Sequence, residues 1–87
     1  MKNYPEISKA LGEAIDSHRK ERGMTKTSLA IRADLEDRYV RAIIKGEKNP
    51  TIYVLTAICE ALNISLSALM SHVEDRLGKS PKSCPPL

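Results

Sequence analysis

Aromatic side chains are nearly missing from this 87-residue chain, which has three Tyr, no Phe and no Trp. A core without large rings must be assembled from Leu, Ile, Val, Ala and Met, a mixture that favours packed helices over a sheet. Long apolar runs are missing too. No stretch approaches the ~20 residues of a membrane span, and the opening MKNYPEISK has no signal-peptide apolar segment, so a cytoplasmic location is expected. Cysteine is limited to Cys59 and Cys84. There is no CxxC and no Cys/His cluster, which leaves no reading as a disulfide framework or zinc site. Cys59, among Ala57, Ile58, Ala61 and Leu62, reads as a small buried thiol. His18 and His72 read as surface or boundary residues. With no Ser/His/Asp or Cys/His arrangement and no phosphate-binding glycine loop, neither an enzyme nor a cofactor is expected.

What is present is charge, unevenly placed. Lys plus Arg number 14 and Asp plus Glu 11, a net charge of only +3. Between His18 and Lys48, however, nine basic residues face five acidic ones, so the whole positive excess lies in that segment. Such a local excess is the footprint that a nucleic-acid surface requires, although a solvated charged face would look the same by charge alone.

The length fits one small domain. Pro5 suits an early helical position, and Ile7, Leu11, Ala14, Ile15 and His18 recur at spacings of three and four, predicting a first helix from about Pro5 to Arg22. Thr25 is placed to cap a second helix that ends near Ala33 and Asp34. A third begins around Glu36 and Asp37, whose carboxylates suit a helix N-terminus, and closes at Gly46. Leu29, Ala30, Ala33, Leu35, Val40 and Ile43 are spaced to give these two crossed helices a shared core. Asp37, Arg38, Arg41, Ala42 and Lys45 are left on the outer surface of the third helix, whose width and basic free face fit the major groove of DNA. Thr51 caps a fourth helix closed by Asn63, and Ser65 or Ser67 opens a fifth. From Thr51 to Met70 the only charge is Glu60. That apolar surplus either faces a partner subunit or is buried within the domain. Residues 1–78 read as the folded domain, and the Pro-, Ser- and Lys-rich segment 79–87 as a disordered tail.

The segment Leu11–Met70 resembles the lambda-repressor-like helix-turn-helix family, the XRE family that includes the phage lambda and 434 repressors and Cro. The features that carry the resemblance are RKERGMT, SLA in the second helix, LxxRYV entering the third, the loop KGEKNPT, and ALNISLSALM at the close. It implies an all-α domain of five helices with the third in the major groove. Carried over position by position, it implies base reading by Glu36, Asp37, Arg38 and Ala42, with Glu36 read chiefly as a cap and Asp37 as an acceptor for cytosine N4. Lys26, Arg41, Lys45, Lys48 and Asn49 are implied as phosphate contacts. Two departures stand out. Asp34 occupies the turn where relatives have glycine. Ile44 stands where many have a Glu paired to the Arg at position 19, so Arg19 must find solvent or another acceptor.

The resemblance implies a DNA-binding transcriptional regulator, of repressor type, that reads an operator as a homodimer. Leu69, Met70, Val73 and Leu77, with the extension SHVEDRLGK, are the expected dimer contacts. Small relatives include Cro-like repressors, controller proteins of restriction–modification systems and antitoxins. The alternative is therefore an antitoxin or other protein-interaction module on the same fold, with DNA binding secondary.

Overall fold

The computed structural model describes residues 5–78. Five helices follow one another: α1 Pro5–Glu21, α2 Lys26–Ala33, α3 Asp37–Ile44, α4 Ile52–Leu62 and α5 Leu66–Arg76. No strand occurs among the described residues, as the all-α expectation requires. The expected tail, residues 79–87, lies outside the described residues.

Three helices start on a hydroxyl. Thr25, Thr51 and Ser65, each in extended backbone, accept from the amides of Ser28, Val54 and Ala68 at 2.9, 3.2 and 3.1 Å, satisfying donors that a helix start leaves open. Helices α2 and α4 stop on residues in the left-handed conformation, Asp34 at φ 57° and Asn63 at φ 58°. Short polar side chains tolerate that conformation, so Asp34 replaces the turn glycine without losing the turn. The Asp34 and Leu35 amides close back onto α2 carbonyls.

α1 packs against α3 and α5, α2 against α3 and α4, and α4 against α5. The largest fully buried side chains are Ile15, Leu29, Val40, Ile43, Ile58, Leu62, Leu69 and Val73, drawn from all five helices. Two expectations are corrected. Ile7 lies exposed at the edge of α1, while Leu35 packs half-buried against the core as its spacing implies. His18 is not a surface residue. It is buried on α1 and stacks on His72 of α5, with ring centroids 4.4 Å apart and planes 18° from parallel.

Gly12 sets how closely α1 crosses the end of α3. A Cβ added there would lie 2.6 Å from the Ile43 carbonyl oxygen and nearer still to that of Ile44. Just beyond, Gly46 adopts φ +81°, and a Cβ added there would lie 3.0 Å from the Lys9 Cα. The chain therefore leaves α3 by a turn that only glycine makes without strain. Gly12→Ala should force the two backbones apart and cost about 1–3 kcal/mol in chemical denaturation. Unchanged stability would show that the contact is slack.

Burial, then the neighbouring His72 and Arg22, push the His18 imidazole below its ordinary 6.5. Its Nε2 has no hydrogen-bond partner among the described residues. A depressed histidine binds protons more readily unfolded than folded. Its contribution is thus complete above about pH 6.5 and lost as pH falls below it. Thermal melts should show the midpoint falling between pH 7 and 5, and falling less in His18→Phe; equal falls would assign the acid sensitivity elsewhere.

Candidate nucleic-acid interface

α3 is an eight-residue helix with two distinct sides. Val40 and Ile43 point inward and are buried, with Tyr39 and Ile44 half-buried beside them. Glu36, Arg38, Arg41 and Lys45 are exposed on the other side, and Ala42 is half-buried. Arg38, the side chain implied as the main base reader, has no hydrogen bond or ion pair within the described residues, so its guanidinium is available to a ligand.

The two carboxylates at the entry of α3 behave differently from one another. Glu36 holds the N-cap position but its side chain makes no capping hydrogen bond. Asp37 is engaged on both oxygens. Thr27 of α2 donates its hydroxyl to Oδ1 at 2.9 Å, and Arg41 donates from Nε to Oδ2 at 2.6 Å. Arg41, then Thr27, holds the Asp37 carboxyl below the usual carboxylate range. Thr27 is a residue that the sequence pattern does not single out. A threonine two places into a helix carries no local signal, and its partner is ten residues away.

The positions implied as phosphate contacts lie at the start of α2, on α3 and in the loop that follows it. Arg41, Lys45, Lys48 and Asn49 are exposed and Lys26 half-buried at the start of α2. Buried Ser8 of α1 donates its hydroxyl to Asn49 Oδ1, which anchors the loop after α3; the Asn49 amide nitrogen has no partner among the described residues. With Ile44 in the place of a glutamate, Arg19 finds two other acceptors. It pairs with Asp16 at 2.7 Å and donates from Nη1 to the Met24 carbonyl at 2.6 Å, tying the end of α1 to the start of the α2 cap. Burial alone would raise the Asp16 carboxyl, but hydrogen bonds from Arg19 and Lys20 outweigh it and the net shift is downward.

This is two helices joined by a left-handed turn, the second basic on its free side, and the helix-turn-helix sequence pattern matches residues 15–69, spanning α2 and α3. The chain belongs to the helix-turn-helix family. The immunity repressor protein of Bacillus phage phi105 is 37% identical over 62 residues, which cover 71% of this chain and 43% of the phage protein. The chain thus spans under half the length of that relative. An uncharacterized HTH-type transcriptional regulator, y4dJ of Sinorhizobium fredii, is 24% identical over 80% of this chain and 91% of its own length. Among solved structures, the clp gene regulator ClgR of Corynebacterium glutamicum superposes with a TM-score of 0.80 at 25% identity, covering 83% of this chain and 77% of that one. The restriction–modification controller protein C.Esp1396I superposes at 0.78 and 24% identity over 91% and 99%. At that identity it shows the fold alone.

The helix-turn-helix core claims two of the side chains expected at a dimer contact. Leu69 and Val73 are 0% and 2% exposed within a single chain, so they close the domain's own core and cannot face a partner. His72 and Val73 of the extension seat α5 on α1, while Glu74, Asp75 and Arg76 stay exposed. Met70 and Leu77 remain half-buried. The apolar side chains left open are elsewhere, with Tyr53 84%, Ile31 74% and Ile52 57% exposed. No single described helix is long and apolar enough to cross a membrane. α4 and α5 are so only as a pair bent by 101°.

Proposed function

We propose that this chain is a sequence-specific DNA-binding transcriptional regulator, of repressor type, that reads its operator with α3. The observation that carries the reading is the division of α3 itself. Its inward side is locked into the core, and its outward side presents Arg38, unpaired among the described residues, with Arg41 and Lys45 on the same helix and Lys26, Lys48 and Asn49 on the segments that flank it. Membership of the helix-turn-helix family and likeness to an immunity repressor and to ClgR support it. Arg38 reaches guanine O6 and N7 with two hydrogen bonds, while the surrounding cations meet phosphates and carry no sequence information.

Selection of bound duplexes from a random pool supplies the operator. On it, Arg38→Ala should lose roughly 1–3 kcal/mol and relax the choice at one base pair. Lys45→Ala should weaken all sequences alike and reduce the salt slope by about one. If Arg38→Ala costs as much on random DNA as on the selected duplex, Arg38 is a phosphate contact. If no sequence is enriched and binding hardly responds to salt, a protein-interaction module is the better reading.

We further propose a homodimer, because one reading helix covers too few base pairs to pick out a site in a genome. Since Leu69 and Val73 are consumed by the core, the contact falls on apolar groups still open on α4 and α5, Ile52, Tyr53, Met70 and Leu77. Two-fold symmetry would set the two α3 helices about 34 Å apart, on successive major grooves. Sedimentation at micromolar concentration should give a dimer that Tyr53→Asp or Met70→Asp dissociates. A monomer both free and on its DNA contradicts this.

A further inference from the structure

A carboxylate on a surface that meets phosphates opposes binding, and Asp37 sits at the groove-facing start of α3. It is neither idle nor merely a favourable charge at a helix start. One oxygen takes the hydroxyl of Thr27 on α2, the other takes Nε of Arg41 one turn along α3, and the side chain is still about two-fifths exposed. The short pair to Arg41 removes most of one positive charge from the phosphate-facing surround, and it does so on every DNA sequence equally. The bond to Thr27 spans the two helices of the motif at their N-termini, opposite the end where Gly12 packs against α3. It therefore bears on the angle at which α3 enters a groove. Those effects differ in kind. Loss of charge weakens all binding, whereas a fixed entry angle matters only where base edges must be met within hydrogen-bonding reach.

We infer that Asp37 is a specificity-determining residue: it lowers attraction to DNA of any sequence by neutralising Arg41, and favours the right sequence by tying α3 to Thr27. This rests on the reading of α3 as the DNA-contacting helix. In it Asp37 is a positioning group, acting through Arg41 and Thr27 rather than through a base.

The test compares wild type, Asp37→Asn, Thr27→Val and Thr27→Ser on two probes across a salt series. One probe is the duplex recovered by selection with wild type, and the other is a random duplex of equal length. Asp37→Asn should tighten random binding about 3- to 10-fold and steepen its salt slope by about one. Binding to the selected duplex should gain less, so that the ratio between the two falls. Thr27→Val should lower the ratio several-fold with an unchanged slope, and Thr27→Ser should restore it. Equal gains on both probes in Asp37→Asn would reduce the pair to surface charge and overturn the inference. A loss confined to the selected duplex would also overturn it, making Asp37 a base contact. If wild type itself prefers no sequence, the reading of α3 fails first and takes the inference with it.

Discussion

An eight-residue helix has little stability of its own, since isolated helices below about 12–15 residues are marginal in water. α3 exists because Val40 and Ile43 are buried, at roughly 1.5–3 kcal/mol each, and because its end lies directly on the α1 backbone at Gly12. Everything outward depends on that attachment. The exposed side chains of α3 are presented at a fixed angle only because the inward ones have no freedom, and α1 and α2 are in turn held by α5 and α4. The hydroxyl caps and left-handed turns set where each helix starts and stops. The packing of α3 sets where its charges point.

On the proposed DNA-contacting role, the surface so presented would balance attraction against discrimination. Lys45, Lys48 and Arg38 are cations without carboxylate partners among the described residues, whereas Arg41 is matched by Asp37 and Arg19 is turned inward to Asp16 and the Met24 carbonyl. A chain with nine basic residues in this segment therefore offers fewer free positive charges than its sequence suggests. Phosphate attraction is long-ranged and indifferent to sequence. Limiting it leaves a larger share of the binding energy to contacts that read bases.

Much of the fold was legible in the sequence. The five helices follow from spacing, and Thr25, Asp34, Thr51 and Asn63 mark their ends through local backbone chemistry that acts within four residues. What escaped is long-range. Ser8 with Asn49, Thr27 with Asp37 and His18 with His72 join separate elements, and no local pattern announces such pairs. The place of Leu69 and Val73 on α5 was not legible for a related reason. Leu69 and Val73 form a clear apolar stripe, but a stripe does not say whether it meets its own domain or another, and here α1 covers it. The exposed basic face was legible because charge and helical period both pointed to it. The pairing of Arg41 and Asp37, four residues apart, was visible as spacing but not as a bond.

The central claim is that the outward face of α3, held by its inward face, is what meets DNA. Backbone amide shifts followed by NMR during titration with a selected duplex measure this directly. The expected result is saturable change concentrated at residues 26–28, 36–42 and 45–49, with α5 little affected beyond any dimer contact. Shifts centred on α4 and α5 while α3 stays unmoved, or the absence of saturable binding, would contradict the account.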